Sequence, residues 1–439
     1  MHRSATLLAV SLAAALLNLS ACEKDKPESP GQSDWAKQLS AQPSTEQGSA
    51  QVEVFSWWTG PGEQEGLDAM IAGFRQKYPG VDVINAAVSG GAGTAARAVL
   101  SNRLHANTPP DSYQRHAGLE LVDDVRAGRV VDLTGFFEQL GWTAKMPKGL
   151  LDAILIDGKL YSVPVNIHRA NLIWYKPTTL TELGLAGPPR TWKEFLSQAA
   201  EIKRKGKTAL AVGPKWTQKH LLETVLLGEL GPDKYNGLWK GSTDWRSPEV
   251  LSALETFTMV LSFSDVQSAS PDWQPAADRV IDGTAVYTVM GDWLDGYWGR
   301  TKKLAYQVDY NVAASPGTFG VYDFLSDSFT LPVKAKHRNE AVKWLEHCGS
   351  TEGQDQFNPP KGSIPARIDA DKSKYTGYLA SALREWQDPK TKIVGSLAHG
   401  VVANNAYSAL IDTALGSFVD NGDAPAFASA MAKGYADTK

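Results

Sequence analysis

The chain has 439 residues, 43% hydrophobic and 21% charged, so a sizeable folded core is expected and wholesale disorder is not. Its length indicates about two to three domains. The formal net charge of −4 provides no general basic excess for nucleic acid, and two cysteines exclude a disulfide-stapled scaffold or a four-cysteine zinc site. The unusual feature is the tryptophan content, with 14 residues.

The N-terminus has the pattern of an export signal. Residues 1–21 predict a secretory signal peptide, whose apolar run at 6–19 is shorter than the about 20 residues that span a bilayer. The run leads into the sequence Leu-Ser-Ala-Cys ending at Cys22, which resembles the bacterial lipobox. We therefore predict cleavage before Cys22 and its lipidation, giving a stable membrane anchor. An ordinary signal peptide beside a chance cysteine is the alternative.

Residues 22–50 are predicted to form a disordered tether. The segment holds three prolines and many polar residues, and only Trp35 and Leu39 are large and apolar. Such a composition buries too little surface to fold. The folded body is therefore expected to begin near Gln51.

Cys348 is the second cysteine, and it has no partner if Cys22 is lipidated. It shares one face of a predicted helix with Ala341, Val342 and Leu345. This pattern favours a buried, inert thiol over a reactive one.

Strand-like and helix-like segments alternate along the body. Residues 52–55 predict a strand, and apolar side chains at 67–78 recur at helical spacing. A second strand is predicted at 81–88, followed by a glycine-rich turn at 89–93 and another helix. Later helices are predicted at two capping sequences, those at Thr191 and Ser247. This order predicts an α/β fold with mostly parallel sheets.

The glycine-rich turn continues into a G-x-G-x-x-A pattern at 91–96, which is typical of dinucleotide-binding turns. However, the pattern follows the second predicted strand of the body. No acidic residue lies at a strand end about 20 positions later. A tight strand-to-helix turn is therefore favoured over a nucleotide site.

Other sequence motifs of metal or nucleotide chemistry are absent. No P-loop, H-E-x-x-H or G-x-S-x-G sequence occurs, and the eight histidines show no metal-ligand spacing. The one basic cluster, at 203–207, is typical of a solvated helix end. The sequence therefore predicts no metal, no cofactor and no nucleic-acid partner.

Aromatic and polar side chains are concentrated where loops are predicted. Trp57 and Trp58 follow the first strand and precede Glu63, while Trp273 lies in a proline-flanked loop and Trp293 follows a later strand. Open α/β sheets bind ligands beyond the carboxyl ends of their strands. Flat indole faces beside hydrogen-bonding groups suit a sugar, which has apolar C–H faces and a rim of hydroxyls. Core packing is the alternative for any one of these tryptophans.

A set of short motifs is spread along the body. The motifs are 54–60 with Glu63, 114–118, 157–164, 166–171, 291–293, 327–329, 361–367 and His399. Together they resemble family 1 extracellular solute-binding proteins of ABC transporters, in the maltose-binding-protein class, and most closely the bacterial glucose/mannose-binding proteins. The resemblance extends over nearly the whole chain from Gln51 onward.

The resemblance implies the type II periplasmic-binding-protein fold, with two α/β lobes and a ligand cleft between them. Lobe one is expected to comprise 51–167 and 326–365, and lobe two 168–325 and 366–439. Three hinge crossings are expected, near 165–170, 322–327 and 364–367. A ligand in the cleft would draw the lobes together by a hinge motion.

The resemblance also implies the ligand-binding residues. They are Trp57, Trp58, Glu63, Gln114, His116, Trp273, Trp293, Asp327, Lys361 and His399. In these roles the tryptophans stack on or wall the sugar ring, and the two carboxylates accept hydrogen bonds from hydroxyls. Gln114, His116, Lys361 and His399 would donate. Asn166 and His168 are further candidates, with hinge packing as an equal alternative, whereas Asp292 and Trp298 have no clear counterpart.

The implied function is the substrate-binding component of an ABC sugar importer. It would capture a glucose-like monosaccharide and present it to the permease subunits. The expected protein is a monomeric lipoprotein, anchored to a membrane in the periplasm or at the cell surface, and it is not an enzyme.

Other interpretations stay open at this stage. A secreted glycosidase would use Glu63 and Asp327 as its carboxylate pair, about 5–5.5 Å apart for retention or about 6.5–9.5 Å for inversion. A second possibility is a binding protein for an oligosaccharide, a polyol or an amino acid, although an amino acid would favour an arginine clamp. A third is a structural or chemosensory lipoprotein that binds sugar without transport.

Overall fold

The computed structural model of the protein describes residues 50–89, 93–265 and 272–438. The predicted signal peptide, Cys22 and the tether up to residue 49 lie outside the described residues, as does part of the glycine-rich turn. Within the described ranges, no helix combines the length and apolar character that crossing a membrane requires.

The strands are short and spread along the whole body. In chain order they are β1 (Gln51–Phe55), β2 (Asp82–Asn85), β3 (Ser112–His116), β4 (Ser162–Pro164), β5 (His168–Arg169), β6 (Leu172–Tyr175), β7 (Thr208–Ala211), β8 (Ala285–Val289), β9 (Asn311–Ala314), β10 (Val321–Leu325), β11 (Asp327–Thr330) and β12 (Lys392–Gly395).

Helices separate most of these strands. They are α1 (Gln64–Lys77), α2 (Thr94–His105), α3 (Val122–Arg126), α4 (Thr134–Gln139), α5 (Lys148–Ile154), α6 (Pro177–Glu182), α7 (Trp192–Arg204), α8 (Lys215–Lys240), α9 (Pro248–Leu261), α10 (Trp273–Ile281), α11 (Trp293–Asp295), α12 (Arg338–Gly349), α13 (Thr351–Lys361), α14 (Tyr378–Gln387), α15 (Asn405–Asn421) and α16 (Ala424–Asp437). A π-helical segment, Gly296–Thr301, follows α11 directly. The predicted α/β fold is confirmed.

Two larger sheets organise the body. The first has the strand order β2-β1-β3-β11-β4, in which β1 is parallel to β2 and β3, and β11 is antiparallel to β3 and β4. The second has the order β7-β8-β6-β9, in which β7 and β8 are parallel and β6 is antiparallel to β8 and β9. Both sheets are mixed, so the prediction of mostly parallel sheets is wrong. Strand β11 enters the first sheet from β10 through the single residue Ser326, at the edge where β3 ends, so it runs opposite to β3.

A third sheet, ordered β12-β10-β5, lies where the chain passes between the other two. Along the sequence, strand β5 lies between β4 of the first sheet and β6 of the second, and β10 leads directly into β11. Ile167 and Ile364 exchange backbone hydrogen bonds of 2.7 and 3.1 Å, and the Val165 N–H donates to the Asp327 carbonyl at 2.9 Å. The three segments expected to be hinge crossings therefore lie side by side.

The tryptophan surplus is divided between the core and a pocket. Trp174, Trp192, Trp298 and Trp344 are among the largest fully buried side chains. Trp298 packs at right angles to Trp174, with ring centroids 5.9 Å apart, and it does not line the pocket described below. Core packing is therefore its role.

Cys348 lies within α12 and is completely buried, as predicted. Its Sγ is 3.5 Å from Met70 Sδ, and burial raises the pKa of the thiol well above its usual value. Only the thiolate attacks disulfide reagents, so both access and ionisation are suppressed.

We expect Cys348 to stay unreactive in the folded protein. With protein expressed from Gln51 onward, the reagent DTNB should produce no thiol signal until denaturant is added. A Cys348→Ser variant is the control, because it should give no signal in either state. Rapid reaction of the native wild-type protein would contradict the burial.

Candidate ligand-binding site

One pocket brings most of the predicted site residues together. Its lining comprises Trp57, Trp58, Glu63, Arg97, His116, His168, Trp216, Trp273, Trp293, Leu325, Asp327, Lys361, Ala398 and His399. Every predicted ligand-binding residue except Gln114 is in this set. Arg97 and Trp216 were missed by the sequence analysis.

The first sheet presents one edge to the pocket. Strands β1 and β3 are parallel, so the tryptophan pair after β1 and His116 at the end of β3 reach the same edge. Asp327 begins the antiparallel strand β11 and pairs directly with His116. Because β11 runs the opposite way, its first residue lies where β3 ends.

The second sheet faces the pocket in the same manner. Strands β7 and β8 are parallel, and their carboxyl ends lead to Trp216 and Trp293. Trp216 lies in the first turn of α8, shortly after strand β7. The other tryptophans were singled out because they follow a strand, and the same criterion would have identified Trp216. The predicted loop placement of Trp273 and Trp293 is wrong, because each begins a helix, α10 and α11 respectively.

The indoles form walls around the polar groups. Trp57 contacts His116, with ring centroids 5.0 Å apart, and the Arg97 guanidinium lies 6.0 Å from its ring centroid. Trp58 packs against Phe357 at 4.9 Å. On the other side, Trp293 lies 5.2 Å from the His399 ring.

Asp327 is held in place by two amides. Its carboxylate accepts hydrogen bonds from Gln114 Nε2 at 2.9 Å and Asn166 Nδ2 at 2.8 Å, and its N–H donates to Asn166 Oδ1 at 2.7 Å. The Gln114 Oε1 accepts from the Trp57 N–H at 3.1 Å. Gln114 is completely buried and lies behind the pocket wall, where it supports Trp57 and Asp327. This differs from the expected direct donation to a ligand.

A buried lysine links the charged groups. Lys361 Nζ lies 3.7 Å from Glu63 Oε1 and donates to His168 Nε2 at 3.2 Å. Burial raises the pKa of the Glu63 carboxyl, and Lys361 opposes that shift. Burial, assisted by Lys361, holds the pKa of His168 well below its usual value.

His168 is oriented from behind by Asp292. Its Nδ1 hydrogen-bonds to Asp292 Oδ1, and Asp292 Oδ2 accepts from the Arg169 N–H at 3.0 Å. Asp292 is completely buried and does not line the pocket. It therefore supports His168.

The lining suits an uncharged, polyhydroxylated ligand. It combines apolar ring faces with carboxylate acceptors, an ammonium donor and the imidazoles of His168 and His399, whose pKa values burial lowers. Among the described residues, no three or more histidine, cysteine or acidic side chains are grouped as metal ligands.

Residues 59–355 match the family described as bacterial extracellular solute-binding proteins. The chain belongs to this family. An ABC transporter extracellular-binding protein of Pyrococcus horikoshii is 34% identical over 366 residues, 82% of this chain and 81% of the relative. A probable sugar-binding periplasmic protein of Rhizobium meliloti is 29% identical over 80% of this chain and 84% of its own length. The xylose/arabinose-binding protein XacG of Haloferax volcanii is 27% identical over 84% of this chain and 80% of the relative.

Solved structures share the architecture at low sequence identity. A chitin oligosaccharide binding protein has a TM-score of 0.77 and 16% identity, over 89% of this chain and 99% of that protein. The bacterial solute receptor AcbH, described as preferring β-D-galactopyranose, has a TM-score of 0.75 and 17% identity, over 89% and 98%. The two-lobed solute-binding fold and the family inferred from the motifs are confirmed.

His220 lies behind the pocket and is completely buried in α8. Its Nε2–H donates to the Ala170 carbonyl at 2.8 Å, and its ring centroid is 5.3 Å from that of His399. Burial lowers the pKa of His220 from 6.5 to about 4.

We expect His220 to make the protein less stable as the pH falls. The unfolded chain binds a proton at this site below pH 6.5, and the folded chain only below about 4. Lowering the pH from 7.5 to 5.0 should therefore remove about 2 kcal/mol of unfolding free energy through this residue. A His220→Gln variant keeps an N–H donor and should lose less stability over the same interval.

Urea unfolding of both proteins at the two pH values measures this difference. Other groups titrate in both proteins, so comparing the two losses isolates the contribution of His220. Equal losses would contradict the lowered pKa.

Proposed function

We propose that the protein is the sugar-binding component of an ABC importer and that its pocket captures a monosaccharide of the glucose type. The observation that carries this proposal is the convergence of indole faces and charged hydrogen-bonding groups in one pocket. Glu63 and Asp327 would accept hydrogen bonds from ring hydroxyls, and Lys361 would donate. The indoles would cover the apolar faces of the ring.

The enclosure of the pocket supports a small ligand. Trp58 is 1% exposed, and Trp293 and His116 are each 6% exposed. The relative XacG is named for xylose and arabinose, which are monosaccharides, and this supports the proposal.

The number of contacts is sufficient for useful affinity. Micromolar binding corresponds to about −8 kcal/mol, and each hydrogen bond contributes a net of about 0.5–1.5 kcal/mol, more when one partner is charged. Several charge-assisted bonds and two stacked rings reach this value after the ordering cost.

The pocket lies between the two expected lobes, so a ligand there would favour a closed form. Trp57, His116 and Lys361 belong to segments of expected lobe one, and Trp293 and His399 to lobe two. A ligand that contacts both sides has higher affinity for the closed form, which is the condition for driving closure. We propose that the permease recognises this closed form, and that a lipid on Cys22 keeps the monomer at a membrane in the periplasm or on the cell surface.

Calorimetric titration with D-glucose, D-mannose, D-galactose and maltose tests the function. We expect saturable binding of a monosaccharide and, for Glu63→Ala and Trp57→Ala, affinity at least tenfold weaker. Loss of a charged hydrogen bond or of a stacked ring accounts for about this factor. Glu138→Ala, an exposed change on α4, is the matched control and should bind normally.

Unfolding temperatures of the variants must stay close to that of the wild type for this comparison. No binding of any sugar by the wild type would contradict the proposal. Turnover of an aryl glycoside would favour the glycosidase alternative.

Small-angle scattering tests the closure. Contacts that span the expected lobes include Thr301 Oγ1 donating to Glu65 Oε1 at 2.8 Å and Asn405 Nδ2 donating to Asp123 Oδ2 at 2.9 Å. An open form lacks such contacts, so the radius of gyration should decrease when saturating sugar is added. The Glu63→Ala variant at the same sugar concentration should show a smaller decrease. An increase or no change in the wild type would contradict hinge closure.

A further inference from the structure

Two buried carboxylates lie beneath the pocket, outside the proposed ligand contacts. Glu223 is on α8 and Asp323 is on β10, and both are completely buried. Neither Asp323 carboxylate oxygen has a hydrogen-bond partner among the described residues. Glu223, in contrast, accepts from the Ala398 N–H at 2.7 Å and from Ser396 Oγ at 2.9 and 3.0 Å.

Ser396 connects Glu223 to a pocket residue. The Ser396 Oγ lies 2.8 Å from His399 Nδ1 and accepts from the His399 N–H at 3.3 Å. His399 lines the pocket, and its Nε2 has no hydrogen bond to any described residue. Glu223, Ser396 and His399 therefore form a hydrogen-bonded relay from the buried carboxylate to the ligand site.

The hydrogen atoms in this relay can be assigned by counting its donors and acceptors. An ionised carboxylate only accepts, so the single hydroxyl hydrogen of Ser396 goes to Glu223. The Ser396 oxygen must then accept from His399 Nδ1, which carries the ring hydrogen. In a neutral imidazole the other nitrogen, Nε2, is left with a free lone pair.

We propose that Glu223, acting through Ser396, holds His399 as the tautomer with hydrogen on Nδ1, so that Nε2 accepts a hydrogen bond from a ligand hydroxyl. Glu223 and Ser396 are positioning residues in this arrangement. The ligand part of the inference rests on the proposed function. It reverses the donor role that the family resemblance suggested for His399.

The charges around this relay are compatible with the assignment near pH 8. Burial raises the pKa of Glu223 to about 7, with hydrogen bonds from Ala398 and Ser396 and the charge of Lys219 opposing the shift. Burial and the Glu223 charge raise the pKa of Asp323 well above its usual value. Tyr235 and His220 also face Glu223.

His399 itself stays neutral under these conditions. Burial, together with His220, His116, His168 and Lys219, holds its pKa well below the usual value. The ring therefore has one hydrogen, and its position depends on the hydrogen-bond partner at Nδ1.

Nitrogen-15 NMR of histidine-labelled protein at pH 8, without ligand, tests the proposal. Long-range proton–nitrogen spectra distinguish a protonated ring nitrogen from a bare one, and a His399→Gln variant identifies the resonances. We expect a protonated Nδ1 and a bare Nε2 in the wild type. In Glu223→Gln the new amide donates to Ser396, so the hydroxyl hydrogen turns to His399 and the tautomer should reverse.

Ser396 supplies a second variant. Ser396→Ala removes the acceptor at Nδ1 and should abolish the Nδ1–H preference, whereas Ser396→Thr keeps a hydroxyl and should retain it. Glu229→Gln makes the same chemical change at an exposed position of α8 and should leave the tautomer unchanged. An unchanged His399 tautomer in both Glu223→Gln and Ser396→Ala overturns the proposal.

Binding provides the functional part of the test. At pH 8, Glu223→Gln should weaken glucose binding about three- to tenfold, the factor expected for one mispaired hydrogen bond. A reversed tautomer with unchanged affinity overturns the acceptor role of Nε2. If the wild type binds no sugar, the proposed function fails, while the NMR result alone still decides how Glu223 and Ser396 position His399.

Discussion

The carboxylate of Asp327 is the point on which the site and the expected hinge both depend. Its two amide donors come from β3 and from the segment before β5, and its own carbonyl accepts from Val165. One acidic side chain is thereby fixed to two other segments of the chain at the floor of the pocket. A carboxylate with several hydrogen bonds is costly to move, because any displacement leaves buried polar groups unpaired.

The two larger sheets contribute to the pocket in the same way, through residues that follow the carboxyl ends of parallel strands. Each directs the carboxyl ends of a parallel strand pair at the cavity, β1 with β3 and β7 with β8, and each places a tryptophan after such an end. Supporting side chains then restrict these groups. Gln114 holds Trp57 and Asp327, and Asp292 holds His168, so the polar lining is preorganised before any ligand arrives.

Burial determines the electrostatics of the site. Burial lowers the pKa of His168 and of His399 well below the usual value, and the Glu63 carboxyl is balanced by Lys361 rather than by water. Positive and negative groups are both present beside aromatic faces. Such a lining matches a neutral ligand with many hydroxyls better than an ion.

The sequence by itself determined the family, the α/β alternation and most of the pocket lining, because short motifs specify which residue types follow each strand. It also indicated the buried position of Cys348 through helical spacing. Only the tertiary structure decided the antiparallel direction of β11 and the placement of Arg97 at the pocket. It likewise separated Gln114, which supports the wall, from the residues that form it. These features depend on strand pairing and hydrogen bonds between residues far apart in the chain, such as the 213 positions between Gln114 and Asp327, and no local pattern encodes them.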